Sequence, residues 1–265
     1  LGIPSFGVEG CGFGRGIVFW IMFGLLFIYS NFISTHSVFH GDYIPSTFDR
    51  ARLQTLLKLG YPIGLSLCLQ TGLFSVLTLI VGRFGTIQAS AHQIVLNYSG
   101  FVFMVPLGLS MAITVCVGQL IGKGDLNASK QLAFHGILLC LIISILGSYI
   151  SFFHPSLICS IYTDVPEVQN LAIPLLKIAA FVQIGDAMQT AASFALRGMK
   201  DTKIPMIMNF ISYWVVGFSI SYILGVVLDY GTKGVWLGLT VALLFAGICQ
   251  MLRLVYLTNK FNRLH

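Results

Sequence analysis

Apolar residues occupy long stretches of this chain, and short polar connections separate them. Each stretch reaches or exceeds the roughly 20 residues that a helix needs to cross a bilayer. The pattern predicts an all-α fold, a polytopic transmembrane helical bundle of about seven spans. The predicted spans are 12–33, 54–82, 90–120, 132–153, 168–195, 205–228 and 233–257.

The composition narrows the class of protein. Hydrophobic residues make up 56% of the 265 residues, and charged residues make up only 9%. Soluble domains carry a charge on roughly a quarter of their residues. The composition therefore indicates an integral membrane protein with membrane lipids around it. It excludes secreted, nucleic-acid-binding and soluble-enzyme classes, so no nucleic-acid partner is expected.

The basic residues predict how the chain is oriented. The net charge of +6 comes from Lys and Arg in the short connections, as the positive-inside rule describes. One side collects most of them and is assigned to the cytoplasm: Arg50, Arg52, Lys58, Lys123, Lys130, Arg197, Lys200, Lys203, Arg253, Lys260 and Arg263. The other side has Arg15, Arg83, Lys177 and Lys233. The sequence thus predicts a multi-pass protein of the cell inner (cytoplasmic) membrane.

One polar connection, the segment 34–53, is longer than the others and is the best candidate for a linker between two bundles. His36 and His40 have the i, i+4 spacing of a metal pair, but only Asp42 lies nearby as a third ligand. We therefore expect no metal site. The chain has no initiator Met and no signal peptide, and we expect it to be the C-terminal part of a longer protein.

The segment 178–202 carries a polar stripe on an apolar helix. At 100° per residue, five side chains fall within an arc of roughly 80°; they are Gln183, Asp186, Thr190, Ser193 and Arg197. With Arg197 at the headgroup level, Asp186 lies about 16 Å away along the helix, near the bilayer midplane. A carboxylate at that depth is costly and by default marks an ion or proton path.

Further polar groups lie in the second and third predicted spans: Ser66, Gln70, Thr71, His92, Gln93 and Asn97. An amide inside a bilayer needs a partner, either another helix or cavity water. Several amides together with one carboxylate favour a hydrated cavity, whereas His92 is expected at the membrane interface. Pro62, Pro106 and Pro174 lie inside spans, where each either breaks its helix or is tolerated as a kink.

Several motifs together resemble one family, the multidrug and toxic-compound extrusion (MATE) transporters, and most of all its bacterial multidrug branch. Three of them lie in the third span: AHQIVLNYS at 91–99, VPLGLSMA at 105–112 and VGQLIG at 117–122. Four more follow in the same order as in the family: YTDVPEV at 162–168, QIGD at 183–186, LRGMKDT at 196–202 and YWVVG at 213–217. The resemblance covers essentially the whole chain.

The resemblance implies a twelve-helix transporter with two six-helix lobes. Residues 1–33 would form the last transmembrane helix of the N-lobe, 34–53 a cytoplasmic inter-lobe linker and 54–265 the six-helix C-lobe. It also implies export of cationic drugs or dyes in exchange for Na⁺ or H⁺, with no cofactor and no enzymatic activity. The N-terminal lobe would then be the missing partner of this chain.

The resemblance also implies site residues. Asp186 matches the acidic cation-site position of the C-lobe. Gln70 stands where this branch usually has Glu, and Val182 where a cation-contacting Tyr is often found. One carboxylate then remains in the C-lobe, so the sequence does not choose between Na⁺ and H⁺. The expected cation site is Asp186, Gln70, Gln183 and Thr190, and the expected substrate cavity includes Asn97, Gln93, Gln189 and Asp164.

Three other hypotheses remain. A lipid-linked oligosaccharide flippase of the same superfamily would need several basic residues in its cavity to hold pyrophosphate. An intramembrane enzyme would need paired Asp residues or a His-rich metal set at one depth, and neither is apparent. The third is a truncated transporter fragment with no activity of its own, because half of the translocation cavity would be absent.

Overall fold

The computed structural model describes residues 7–29 and 50–261. The chain divides into two units, Leu1–Arg50 and Ala51–His265. Within the first unit the structure describes a single apolar helix, α1 (Gly7–Ile28). This helix overlaps the first predicted span, but its described apolar part, Gly12–Ile28, is shorter than the helices counted as able to cross a membrane. Segment 34–49, which holds His36, His40 and most of the predicted linker, lies outside the described residues.

The second unit consists of helices, and the described chain contains six that are long and apolar enough to cross a membrane. They match the last six predicted spans, which confirms the all-α transmembrane bundle. Their bounds are α2 (Arg50–Gly82), α3 (Thr86–Gly122), α4 (Leu126–Phe153), α6 (Pro166–Gly198), a composite helix (Lys203–Val227) and α9 (Gly231–Phe261). The start of α2 shows that the last residues of the predicted linker, 50–53, are helical.

Two features were not predicted from the hydrophobic pattern. A short helix, α5 (Pro155–Tyr162), joins α4 to α6. The composite helix consists of α7 (Lys203–Phe210) and α8 (Phe218–Tyr222), with wider π-helical turns at Ile211–Gly217 and Ile223–Val227. By contrast, α2, α3 and α6 continue through Pro62, Pro106 and Pro174, so none of these prolines breaks its helix.

Helix α6 is the central element of the second unit, and it packs against α3, α4 and α9. Small residues make this close packing possible. A Cβ atom on Gly198 would lie 2.8 Å from the carbonyl oxygen of Thr114 in α3. One on Gly185 would lie 3.0 Å from the backbone nitrogen of Leu244 in α9. Polar side chains in the second half of α6, such as Gln183 and Gln189, are buried inside the bundle.

The apolar residues of α6 belong to two separate hydrophobic clusters. Its first half, from Val168 to Val182, contributes to one cluster with α2, α3 and α9. Its last turns, from Ala191 to Met199, contribute to the other with α3, α4 and Leu254 of α9. The polar segment 183–190 lies between the two clusters along the helix axis. This arrangement places Asp186 well inside the bundle.

Candidate functional site

A cavity of about 400 Å³ lies beside the polar segment of α6. Helices α2, α3, α4 and α6 line it, together with Trp236 of α9. Most lining side chains are apolar, such as Leu67, Phe74 and Phe103. Asp186 and Arg197 are the charged side chains among its lining residues. The cavity therefore combines an apolar wall with one acidic and one basic group.

The carboxylate of Asp186 is held by two side-chain donors. Gln70 of α2 donates from Nε2 to Oδ1 at 3.2 Å, and Thr190, one turn later in α6, donates to the same oxygen at 3.5 Å. Within the described residues Oδ2 accepts no hydrogen bond. Both donors are neutral, so the negative charge of an ionised Asp186 has no counter-ion from its hydrogen-bond partners. The free oxygen can receive a proton, a metal cation or an organic cation.

The polar stripe on α6 faces this cavity as a unit. All five stripe residues line the cavity: Gln183, Asp186, Thr190, Ser193 and Arg197. Gln183 is 6% exposed, and its Oε1 accepts a hydrogen bond from Ser148 of α4 at 3.4 Å. Its Nε2 is buried without a partner among the described residues. The sequence stripe thus corresponds to one continuous wall of the cavity.

A buried chain of amides continues from Asp186 towards the composite helix and α9. The hydroxyl of Thr190 also lies 3.2 Å from Oε1 of Gln189, so its single proton is shared between Asp186 and Gln189. Gln189 donates to Oδ1 of Asn209 at 3.4 Å, and Gln250 donates to the same oxygen. Asn209 and Gln250 are at most 1% exposed. Sequence reasoning missed both, although an amide within an apolar segment is the signal that would have found them.

Arg197 was not among the predicted cavity residues, although the sequence placed it on the polar stripe. It lines the cavity, and its guanidinium carbon lies 4.3 Å from the ring centroid of Phe194. Phe194 precedes it by three residues, so the side chain folds back towards the N-terminus of α6. This direction is the usual one for long side chains on a helix. A basic group is therefore present in the cavity, where the sequence predicted only an acid.

His92 is also placed differently. It was expected at the membrane interface, yet it is 3% exposed and packs edge-on against Trp236 at 5.6 Å between ring centroids. Trp236 donates from Nε1 to Nδ1 of His92 at 3.0 Å. Nε2 of His92 lies 3.1 Å from Oγ1 of Thr78, whose hydroxyl donates to the carbonyl of Phe74 at 2.8 Å.

These contacts assign one tautomer to a neutral His92. Because Nδ1 accepts from Trp236 and the Thr78 hydroxyl proton is already donated to Phe74, Nε2 carries the proton and donates to Thr78. Every polar atom of the His92 ring is then satisfied inside the bundle. His92 therefore fixes the orientation of Trp236, which contributes to the cavity wall.

Three residues of the predicted substrate cavity do not line this cavity of the described residues. Gln93 and Asn97 are exposed and line a separate groove with Phe101 and Met104 on the outside of α3. Asn97 accepts a hydrogen bond from the hydroxyl of Tyr162 at 2.9 Å. Asp164 is exposed in the connection between α5 and α6. By contrast, Gln189 lines the cavity together with the four predicted cation-site residues.

Clusters of His, Cys, Asp and Glu side chains are the usual ligand groups of a tightly bound metal ion. Within residues 7–29 and 50–261, no three His, Cys, Asp or Glu side chains are grouped so that they could hold a metal ion. The five cysteines between residues 50 and 261, among them Cys68 and Cys140, are free thiols. The side chains that line the cavity are suited to pairing with a single ion at Asp186, to hydrogen bonding and to apolar contact.

Sequence comparison gives one family and a set of relatives. The MatE family model matches residues 62–223. "Probable multidrug resistance protein NorM" of Bacillus cereus (strain ATCC 10987 / NRS 248) is 35% identical over 264 residues, which is 98% of this chain and 58% of the relative. "Multidrug resistance protein NorM" of Photobacterium profundum is 35% identical over 260 residues, 96% of this chain and 56% of that relative. The chain spans little more than half the length of these relatives.

Structure comparison agrees on the fold. "Outward-facing conformation of a multidrug resistance MATE family transporter of the MOP superfamily" superposes with a TM-score of 0.83 at 17% identity, covering 98% of this chain and 58% of the other. "Crystal structure of MATE in the straight conformation" gives a TM-score of 0.81 at 15% identity, covering 92% of this chain and 55% of the other. Likeness at this level of identity shows the fold alone, while the family assignment depends on the sequence match.

Proposed function

The chain belongs to the MatE family, and on this premise we propose that it forms the C-terminal part of a multidrug efflux transporter that exchanges organic cations for Na⁺ or H⁺. The relatives named as multidrug resistance proteins support this proposal. In this proposal residues 1–33 are the last helix of an N-lobe, 34–53 the cytoplasmic linker and 54–265 the C-lobe. The remainder of the cavity would come from the N-lobe.

The observation that carries the proposal is the carboxylate of Asp186, whose Oδ2 accepts no hydrogen bond within the described residues while Gln70 and Thr190 hold Oδ1. A proton, a coupling cation and a cationic drug all neutralise the same charge, so they compete for it. Binding from outside then weakens binding of the drug. Net transport also requires that the affinities differ between the two conformational states of the transporter.

The charges that line the cavity do not favour the flippase hypothesis. A pyrophosphate group would need several basic side chains around it, and Arg197 is the basic residue that lines the described cavity. Gln70 and Gln183 are neutral, and Asp186 would repel the anion. We therefore retain organic-cation efflux as the proposed function and treat lipid phosphate as an outcome to be tested below.

The test is Asp186→Asn in the full-length transporter, with ethidium efflux measured in cells while Na⁺ and pH are varied separately. We expect efflux to fall to background because an amide can neither carry the negative charge nor hold the exchanged cation. The amide is nearly isosteric with the carboxylic acid, so the protein should insert and accumulate normally.

The control is Glu167→Gln, the same change of acid to amide in the exposed first turn of the same helix. It should leave efflux at the unmodified level. Unchanged ethidium resistance in Asp186→Asn, at matched protein amounts, would remove Asp186 from the mechanism.

A further inference from the structure

The proposed cation exchange gives no role to the guanidinium of Arg197, which also lines the cavity. Arg carries five N–H donors, yet this side chain makes no hydrogen bond or ion pair with the residues that the structure describes. Asp201, four residues later, would be its nearest acid in sequence beyond the cavity. Asp201 is already paired with Arg253 of α9 at 2.8 Å. The donors of Arg197 are therefore available to a ligand.

Two ordinary roles of a basic residue at a helix end do not explain where the Arg197 side chain lies. Arg197 lies in the last turn of α6, where a basic side chain interacts favourably with the helix dipole. An Arg near a membrane surface also often extends to the headgroups. Here the side chain folds back over Phe194, away from the helix end, and lines the cavity. Its direction therefore points to a contact inside the cavity.

Helix geometry fixes how Arg197 is placed relative to Asp186. Eleven residues at 100° each bring the two positions to within roughly 20° of the same azimuth, about 16 Å apart along the axis. The guanidinium lies over the ring of Phe194, one turn back, so the charged group is displaced from its own backbone position towards Asp186. The cavity thus presents a carboxylate and a guanidinium on one wall, separated by an apolar stretch.

We propose that Arg197 binds an oxyanion, a carboxylate or phosphate group, and so makes the cavity selective for dipolar organic substrates whose cationic group pairs with Asp186. This inference rests on the proposed efflux function and names its substrate class. A guanidinium binds carboxylate and phosphate with paired hydrogen bonds, and an apolar surrounding strengthens them. The same oxyanion chemistry is offered by a lipid headgroup, which the experiment must distinguish from the substrate.

The experiment compares two dyes that differ by one charge, rhodamine B, which carries a carboxylate, and its ethyl ester, which does not. The full-length transporter is purified in a phospholipid-free detergent, and the Kd of each dye is measured by fluorescence polarisation. Efflux of both dyes is then measured in proteoliposomes. The variants are Arg197→Gln, Arg197→Lys and the control Arg83→Gln, which removes an exposed charge at the end of α2.

We expect Arg197→Gln to raise the Kd of rhodamine B about ten- to a hundredfold, the range for a lost charge-assisted hydrogen bond, and to leave the ester within about twofold. Arg197→Lys should fall between Arg197→Gln and the unmodified protein, because Lys keeps the charge but not the paired donors. Arg83→Gln should change neither dye. Retained binding of the ester also shows that the variant is folded.

Three results would overturn the inference. Equal loss of both dyes in Arg197→Gln would indicate a structural role. Unchanged Kd values in detergent, with a loss of transport of both dyes only in proteoliposomes, would assign Arg197 to lipid phosphate. Unchanged binding and transport of both dyes would show that Arg197 contacts no anion. Failure of the efflux proposal is seen separately, because the unmodified transporter would then move neither dye.

Discussion

At the residue scale, Gln70 shapes the surroundings of the Asp186 carboxylate. Its amide donates to Oδ1 of Asp186 at 3.2 Å, and Thr190 donates to the same atom. Both contacts orient the carboxylate so that Oδ2 remains open, and neither adds a charge. Among the side chains lining the described cavity, Asp186 therefore supplies the whole negative charge.

The exchange Gln70→Glu tests this arrangement. A second acid would lie close to Asp186, and two neighbouring carboxylates cannot both stay ionised without a bound cation or a shared proton. We expect the dependence of ethidium efflux on Na⁺ or on pH to shift relative to the unmodified transporter. Initial efflux rates across a Na⁺ series and a pH series measure this shift.

A matched control for that exchange is Gln119→Glu, which adds the same charge at an exposed position near the end of α3. It should leave both series unchanged. If Gln70→Glu also leaves both unchanged, position 70 does not influence the coupling ion.

Sequence periodicity predicted the polar stripe that α6 contributes to the site. The residues that other helices contribute depend on tertiary packing, which periodicity does not predict. Angular spacing along one helix was enough to bring Gln183, Asp186 and Thr190 onto one face. It gave no information about Trp236 or Asn209, because their places depend on how the helices pack together. The contact between His92 and Trp236 joins residues 144 positions apart, so no local pattern could reveal it.

At the scale of elements, glycines set how closely the composite helix and α9 approach. A Cβ atom on Gly238 would overlap with the backbone and hydroxyl of Ser221, and one on Gly234 with the carbonyl of Leu224. Trp236 lies between these two glycines in α9. Close packing at this contact therefore also holds one of the cavity-lining residues in position.

Replacement of Gly238 by Ala should destabilise the bundle. The added methyl group must displace the backbone of Ser221, and overpacking of this kind costs about 1–3 kcal/mol. Thermal unfolding of the purified transporter, followed by tryptophan fluorescence, should show a lower Tm.

Gly64→Ala provides the comparison, because a Cβ atom at Gly64 in α2 would meet nothing within 4 Å. Its Tm should equal or exceed that of the unmodified protein, because Ala is a better helix former than Gly. Equal Tm values for the two variants would show that the contact at Gly238 is not tight.

The elements themselves differed in how far sequence could predict them. Long apolar runs predicted the transmembrane helices because a bilayer requires both length and apolar composition. The eight-residue helix α5 is too short to give such a signal. The π-helical turns at Ile211–Gly217 and Ile223–Val227 share the composition of the α-helical segments around them. Hydropathy therefore cannot separate the two conformations.

At the scale of the whole molecule, the basic residues predict which ends of the helices face the cytoplasm. Lys123 follows α3 at the predicted cytoplasmic side, and Lys233 begins α9 at the predicted outer side. Both residues are exposed. The two positions are therefore accessible markers for opposite sides of the membrane.

Cysteine labelling tests the orientation. In intact cells, a membrane-impermeant maleimide should label Lys233→Cys but not Lys123→Cys, because the reagent reaches only the outer side. After the cells are permeabilised, both variants should be labelled above the level of the unmodified chain. The opposite result in intact cells would invert the topology and place Arg197 at the outer end of the cavity.

Both charged groups of the cavity belong to α6, and α6 is continuous from Pro166 to Gly198 with its neighbours packed around it. Rigid-body movements of this helix carry Asp186 and Arg197 together, and Pro174 lies outside the interval between them. Under the dipolar-substrate proposal, the helix fixes the separation between the two charged groups that bind a substrate. Molecules would be sorted by the distance between their opposite charges, and overall bulk would matter less.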